Sequence, residues 1–221
     1  MSTVTRSETT FLSTVWSLMR TPVPPGYRGW LAFGWPLLFL FLLQVATGIL
    51  LSFYYQSSPG EAAESTRRIL RDVDGGWLVL GVHHWAGQAM VALCLLQLAR
   101  ALFMRAWRGE KSGSWYIGLC LLPLSVLLAY SGNLLKWDVG AHATVVAALD
   151  AVSEIPWIGP GLAYMVRGGE EIGGTTLSRL HSAHTQFLPW FVFVLVTFHL
   201  VLFARRHRMA SRAAAGPGKE G

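Results

Sequence analysis

The sequence contains few charged residues. Only 14% of its 221 residues are Asp, Glu, Lys or Arg, whereas 52% are hydrophobic, and the mean hydropathy is +0.42. Soluble domains carry about 25% charged residues, so this composition excludes an ordinary water-soluble domain or a disordered chain. Ten Trp residues add the aromatic side chains that membrane proteins place at the membrane–water boundary. The composition therefore predicts an integral membrane protein.

Cysteine is also scarce. The two cysteines, Cys94 and Cys120, both lie in apolar runs. Because neither belongs to a C-x-x-C pair or a C-x-x-C-H motif, they offer no zinc site, no dithiol redox pair and no covalent haem attachment. We interpret both as thiols packed in the core.

Four uncharged stretches of 24 to 26 residues are long enough to cross a membrane as helices. They are span A (30–55), span B (75–99), span C (112–135) and span D (180–204). The predicted fold is all-α, a four-helix membrane bundle over residues 30–205. We expect a surface helix in residues 1–29, which lack the pattern of a cleaved signal peptide. Short surface helices are predicted between spans C and D, and a basic flexible tail over residues 206–221.

The basic residues are distributed unequally between the two sides of the predicted bundle. The termini and the B–C loop hold eleven basic and three acidic residues, whereas the A–B and C–D segments hold six basic and nine acidic residues. By the positive-inside rule both termini are expected on the cytoplasmic side, here called the n side, of a bacterial inner (plasma) membrane. The opposite side is the p side. The net charge of +6 thus reflects membrane topology, and we predict no nucleic-acid binding.

Three histidines lie at informative positions within the spans. His83 in span B and His184 in span D are at similar depth near the p side, and His199 lies 15 residues after His184. At about 100° and 1.5 Å per residue, His199 is about 60° from the azimuth of His184 and about 22 Å deeper. Gln97 is the matching residue of span B, 14 residues after His83.

Glycines repeat the same spacing in the other two spans. Gly34 and Gly48 in span A are 14 residues apart, and so are Gly118 and Gly132 in span C. The predicted p layer consists of Gly48, His83, Gly132 and His184, and the predicted n layer consists of Gly34, Gln97, Gly118 and His199. Glycine lets a flat ring approach a helix backbone, and imidazole is a common axial ligand of haem iron. The two layers indicate haem binding in a four-helix bundle, with helix-crossing glycines and hydrogen-bonded histidines as the alternative interpretation.

Several motifs resemble the cytochrome b family of the quinol-oxidising bc and b-f complexes, in particular its short four-helix form. The match covers about residues 20 to 208. The most specific stretches are Pro24-Pro25, Gln44 to Gly48, Phe53 to Tyr55, Gly76-Trp77, His83 to Trp85, Ser131-Gly132, Trp137-Asp138, Ile155 to Gly159, Leu177 to Arg179, and His184 to Pro189.

The resemblance implies that His83 and His184 ligate a p-side haem b. The family's n-side haem has a histidine at the position of Gln97, and an amide is a poor iron ligand. Only His199 therefore remains for an n-side haem b, which is either five-coordinate or water-ligated, or absent with its slot filled by side chains. Arg100 matches a position that neutralises an n-side propionate, which favours occupancy.

Other positions depart from the family or lie off its ligand register. His84 and His181 are interpreted as polar neighbours of the ligands. Leu80 stands where the family often has a propionate-binding Arg, and Ala32 stands where the plastid-type form has the cysteine of an additional covalent haem. No covalent haem is therefore expected.

The resemblance also implies an electron-transfer role. The chain is expected to be a subunit of a quinol oxidoreductase that passes electrons from p-side quinol to an acceptor such as a c-type cytochrome or a plastocyanin-like protein, and through the haems toward n-side quinone. Expected partners are a Rieske-type iron–sulfur protein, a c-type cytochrome, a subunit-IV-like or C-terminal cytochrome b subunit, and membrane lipid, in a dimeric complex. Residues 137–152 are expected to line the quinol pocket, in which Lys136 and His142 are unusual.

Two other functions remain open at this point. The chain could anchor another dehydrogenase or a hydrogenase to the quinone pool through its haem, with no iron–sulfur acceptor among its partners. It could also be a structural subunit with at most one haem. Co-purifying proteins distinguish the first alternative, and the number of haems per chain distinguishes the second.

Overall fold

The computed structural model describes the backbone of residues 28–108 and 112–215, and the side chains of residues 34–108 and 112–205. All regular elements within these ranges are helical. The helices are α1 (Arg28–Ser52), α2 (Ala62–Arg71), α3 (Gly76–Phe103), α4 (Ser112–Leu134), α5 (Val139–Ser153), α6 (Gly159–Arg167), α7 (Gly174–Ser182), a π-helical turn (Ala183–Phe187) and α8 (Leu188–Ala215). The predicted all-α fold is confirmed.

Four helical segments are long and apolar enough to cross a membrane: Gly34–Ser52, Gly76–Phe103, Ser112–Leu134 and Gly174–Arg205. The chain is thus a multi-pass membrane protein with one spanning segment for each predicted span. The last segment begins six residues before the predicted span D, because α7 and the π turn continue into α8. Helix α8 reaches Ala215, so the first ten residues of the predicted flexible tail are helical. The predicted N-terminal surface helix falls on residues 1–27, outside the described residues.

The spanning helices pack in a fixed order. Helix α1 lies against α3, α3 against α4, and α4 against α8. Phe41, Met90 and Val192 form a buried cluster at mid-membrane height, here called the waist cluster. Outside it, large apolar side chains such as Phe39 and Phe191 are exposed, as expected for helices that face lipid.

The position of Cys120 differs from its prediction. Cys94 is partly buried, with its Sγ atom 3.7 Å from Ser125 Oγ, but Cys120 is exposed. The interpretation of Cys120 as a core thiol is therefore wrong. In a membrane helix that is apolar on every side, sequence hydrophobicity does not distinguish the lipid-facing from the inward-facing positions.

The segment between α4 and α7 forms a folded cap on one end of the bundle. The Asp138 side chain accepts a hydrogen bond of 2.8 Å from the Ala141 N–H and so caps the start of α5. A cluster of Leu134, Val145, Leu149 and Ala163 packs α5 and α6 onto the end of α4. The predicted short helices in this segment are thereby confirmed.

Tyr55 joins this cap to the end of α1. Its hydroxyl donates a 2.7 Å hydrogen bond to the Leu135 carbonyl, and its ring stacks on His181 with the centroids 5.4 Å apart. Tyr55 lies beyond the end of α1, and burial raises the pKa of its phenol to about 12. The contact fixes the end of the bundle that contains His83 and His184.

Candidate functional site

The structure brings His83 of α3 and His184 of the π turn face to edge. Their ring centroids are 6.2 Å apart and the ring planes are inclined by 73°. A metal–nitrogen bond in proteins is about 2 Å long, so one metal ion fits between two imidazoles at this separation. The two helices that carry these residues are distant in sequence, and only the tertiary fold brings them together.

Each of the two imidazoles has a hydroxyl partner on the neighbouring helix. Thr47 Oγ1 of α1 lies 2.8 Å from His83 Nδ1, and Ser131 Oγ of α4 lies 3.0 Å from His184 Nδ1. Both hydroxyls are also within hydrogen-bond distance of a carbonyl in their own helix, at 2.7 Å for Thr47 to Leu43 and 3.1 Å for Ser131 to Leu128.

These contacts determine which nitrogen of each ring is available. A hydroxyl has one hydrogen, and here it is directed to a helix carbonyl, as is common for Ser and Thr in helices. The hydroxyl oxygen then accepts a hydrogen bond from the Nδ1–H group, so that Nε2 keeps its lone pair. A hydrogen bond at one ring nitrogen is the usual way to orient a metal-ligating histidine.

The glycines of the p layer are necessary for this geometry. A Cβ atom at Gly48 would lie 3.3 Å from His83 Cε1, and one at Gly132 would lie 2.9 Å from His184 Cε1. A side chain at Gly132 would push the imidazole away, since real Cβ atoms essentially never come closer than 3.0 Å. The structure thus places Gly48, His83, Gly132 and His184 in one layer.

The π-helical turn changes the relation between His184 and His199. Leu188 N–H bonds to the Ala183 carbonyl, five residues earlier, and Pro189 follows without an N–H group to continue the α-helical pattern. A π turn accommodates one additional residue, so the 15-residue spacing acts as 14. The azimuth of His199 therefore differs from that of His184 by about 40°, as for His83 and Gln97, and the 60° expected from a regular helix is wrong.

The structure adds polar residues to the p layer that the sequence analysis had not assigned to the site. Thr47 and Ser131 are the hydroxyl partners, and each immediately precedes a layer glycine, a signal that was present in the sequence. Gln44 is the third. Its Nε2 lies 2.6 Å from the position of a Cβ at Gly87, so Gly87 admits the amide between α1 and α3. Its Oε1 is buried without a hydrogen-bond partner among the described residues.

The n-layer residues occupy the same helices about 21 Å further along the bundle. The missing Cβ of Gly34 has no described atom within 4 Å, and that of Gly118 has only Leu98 Cδ1 at 4.0 Å. Gln97 is partly buried, and its Oε1 has no hydrogen-bond partner in the described part of the chain. Arg100 lies in the last turn of α3, one turn beyond Gln97.

The two histidines off the ligand register have aromatic neighbours. His84 contacts Trp85 with ring centroids 5.5 Å apart, and His181 stacks on Tyr55. The side chain of Ala32 is outside the described residues.

The p layer is suited to an iron porphyrin. No three His, Cys, Asp or Glu side chains of the described ranges come together as a metal site, so a metal between His83 and His184 needs its other ligands from a non-protein group. A porphyrin supplies four nitrogens, and the two imidazoles then serve as axial ligands. Gly48 and Gly132 leave room beside both rings. The fold and this pair define a class: membrane four-helix bundles with an imidazole pair between their helices.

Comparison with known proteins identifies the family. The family model described as Cytochrome b/b6/petB matches residues 18–207. The cytochrome b6 of Synechococcus sp. (strain JA-3-3Ab) is 33% identical over 184 residues, which cover 83% of this chain and 86% of that protein. Cytochrome b6 of Bigelowiella natans is 32% identical with the same coverage. The chain belongs to the cytochrome b/b6 family, which confirms the predicted resemblance and implies binding of haem b.

A solved structure supports the fold independently. A chain of a hyperthermophilic respiratory Complex III matches with a TM-score of 0.70 and 23% sequence identity. The match covers 87% of this chain and 55% of the other. The present chain thus spans about half the length of that protein and has the fold of its matching half.

Proposed function

We propose that this chain is the haem-carrying electron-transfer subunit of a quinol oxidoreductase of bc or b-f type, which conducts electrons from quinol oxidised on the p side toward the n side. The observation that carries the proposal is the facing pair of imidazoles, His83 and His184, with both Nδ1 atoms engaged by hydroxyls. Membership of the cytochrome b/b6 family supports it.

The residues of the p layer have separate tasks in this proposal. His83 and His184 would hold a haem b, which supplies one-electron redox chemistry when bound. Thr47 and Ser131 orient the imidazoles, and Gly48 and Gly132 keep space beside them. The waist cluster of Phe41, Met90 and Val192 excludes water from the bundle between the two layers, because it provides no polar partner for a water molecule.

The surface of the chain supports assembly with other subunits. On the cap, the side chains of Val139 and Trp157 are 90% and 100% exposed, and Trp157 has a positive φ of 66°, an unusual conformation for a bulky residue. We infer that other subunits cover this apolar surface. The proposed partners are an iron–sulfur protein, a c-type cytochrome and a subunit with the remaining helices of cytochrome b. The basic termini support a cytoplasmic n side.

The first test is replacement of a single imidazole in the assembled complex. His83→Ala is expected to remove the low-spin ferric EPR signal of the bis-imidazole haem and to lower the haem content by one per chain, measured as pyridine haemochrome. His84→Ala is the matched control, because His84 is the adjacent residue and contacts Trp85 instead of His184. Retention of the low-spin signal in His83→Ala would contradict the assignment.

The second test concerns electron transfer. Addition of quinol to the wild-type complex should reduce haem, and the His83→Ala complex should show no p-layer haem reduction. A haem-bearing complex that quinol does not reduce would contradict the proposed function, even if the ligands are correct.

A further inference from the structure

The n layer faces the bundle interior, as a comparison of helix positions demonstrates. Phe41, Met90, Ser125 and Val192 are all buried at mid-membrane height. Each of the first three lies seven residues from both layer residues of its helix, and Val192 lies seven residues before His199. Seven residues rotate a helix to within about 20° of the starting azimuth and advance it by about 10 Å. Gly34, Gln97, Gly118 and His199 therefore point to the same interior as the waist cluster.

Two observations indicate that this interior receives a further group. The Cβ positions of Gly34 and Gly118 face open space or only the edge of Leu98, in contrast to the close imidazole contacts in the p layer. In addition, Gln97 Oε1 is buried with no hydrogen-bond partner among the described residues. An unsatisfied buried amide costs about 1–3 kcal/mol, so a polar partner at this position stabilises the layer.

The residues of the n layer fit a haem with one imidazole, but they do not fit a bis-imidazole haem. His199 is the imidazole, and Arg100, one turn beyond Gln97 in α3, supplies the positive charge that suits a propionate. The residue opposite His199 is Gln97, and its neutral amide is a weak iron ligand. The sixth position on the Gln97 side is therefore exchangeable, whereas His83 and His184 fill both axial positions of the p layer.

We propose that the n layer holds a second haem through His199 alone and presents an exchangeable coordination position, beside Gln97, to small neutral ligands such as carbon monoxide. This inference rests on the proposed function, because it takes the chain to be a haem-carrying subunit. Binding forms one bond from the carbon atom of the ligand to ferrous iron and displaces a weakly held water or amide oxygen. No electron or proton is transferred in this step.

Carbon monoxide binding to the dithionite-reduced complex tests the inference directly. About half of the b-haem absorbance is expected to shift on addition of carbon monoxide, since one haem of two has an exchangeable position. The oxidised complex should show a high-spin ferric EPR signal beside the low-spin signal of the p layer. Two haems per chain that are both low-spin and insensitive to carbon monoxide would overturn the proposal, and so would one haem per chain.

Gln97→His identifies the residue responsible. An imidazole at this position should convert the high-spin signal to low-spin and reduce the carbon monoxide shift at least about tenfold. Gln88→His is the matched control, because Gln88 lies on the same helix but is exposed, so it should behave as wild type. An unchanged spectrum in Gln97→His would overturn the assignment of the open position.

His199→Leu separates this inference from the proposed function. The variant should lose the high-spin signal and the carbon monoxide shift but retain the low-spin signal that depends on His83 and His184. If the low-spin signal survives His83→Ala, the proposed function fails. If only the carbon monoxide response is missing from the wild type, the n-layer inference fails alone.

Discussion

The p layer and the n layer have the same helix spacing but different chemistry. In the p layer each glycine follows a hydroxyl residue, in the pairs Thr47-Gly48 and Ser131-Gly132, and the hydroxyls reach the two imidazoles. In the n layer the corresponding pairs are Phe33-Gly34 and Ile117-Gly118, and only one imidazole is present. Glycine provides room in both layers, but the hydroxyls that orient a ligand pair are found in one of them. The same scaffold can thus hold a saturated and an open site.

Placing a methyl group in each layer tests the comparison with the largest expected effect. Gly132→Ala brings a Cβ to 2.9 Å from His184 Cε1, so the imidazole must move. We expect the low-spin p-layer haem to be destabilised by about 1–3 kcal/mol, the usual cost of overpacking. The temperature at which its absorbance is lost measures this change.

Gly118→Ala is the counterpart in the n layer. Its new Cβ meets only Leu98 at 4.0 Å, so the protein alone accommodates it and the p-layer signal should not change. Loss of the carbon monoxide response in this variant would locate the second haem beside Gly118. Equal destabilisation of the p-layer haem by both variants would contradict the distinction between the layers.

The second prediction, of intermediate size, concerns the hydroxyl partners. Thr47→Val preserves the shape of the side chain but removes the oxygen 2.8 Å from His83 Nδ1. Loss of such a supporting hydrogen bond typically weakens metal binding about 10- to 100-fold, so haem should dissociate from the p layer correspondingly faster. Transfer of haem to apomyoglobin measures the rate.

Thr144→Val serves as the control for Thr47→Val. The Thr144 hydroxyl also bonds to a carbonyl of its own helix, that of Gly140, but it is exposed and contacts no histidine. It should release haem at the wild-type rate. A Thr47→Val complex that also does so would show that the hydroxyl does not orient His83.

The smallest expected effect concerns Tyr55 at the p-layer end of the bundle. The pKa of its phenol is raised to about 12 by burial, from an ordinary value of 10.0. Because the folded-state pKa is the higher one, Tyr55 stabilises the folded chain fully below pH 10, and this contribution is lost as the pH rises toward 12. The melting temperature of the wild type should therefore decline over this range more steeply than that of Tyr55→Phe.

Tyr55→Phe also removes the hydrogen bond to Leu135, which should cost about 1 kcal/mol at neutral pH. The tyrosinate absorbance of wild type minus Tyr55→Phe reports the titration itself. A midpoint near pH 10 in this difference would contradict the raised pKa. The n layer should show no change in either measurement.

Much of the architecture follows from hydrophobic length alone. Each span is uncharged over more than 20 residues, so its identity as a membrane helix did not depend on its neighbours. Boundaries were less certain, because α3 extends to Phe103 and α8 to Ala215 through residues that are polar but still favourable for a helix. The position of Cys120 could not be predicted, since every face of α4 is apolar.

The candidate site was predictable where it depends on spacing and not where it depends on local geometry. The equal separations of Gly34 from Gly48 and of Gly118 from Gly132 placed both layers correctly. The hydrogen bonds of Thr47 and Ser131 involve helices 36 and 53 residues apart in sequence. The π turn also escaped prediction, although Pro189 marks its end, because a regular helix was the simplest interpretation of an uninterrupted apolar run.

The sequence by itself determined the four membrane helices, the depth of each histidine and glycine, and the single imidazole of the n layer. These properties depend on the residue types and on the constant rise of a helix. The tertiary structure decided which side chains meet: the 6.2 Å approach of His83 and His184, the hydroxyl that orients each ring, and the register of His199 after the π turn. Those contacts depend on how neighbouring helices rotate and pack, and that rotation is set by all four helices together.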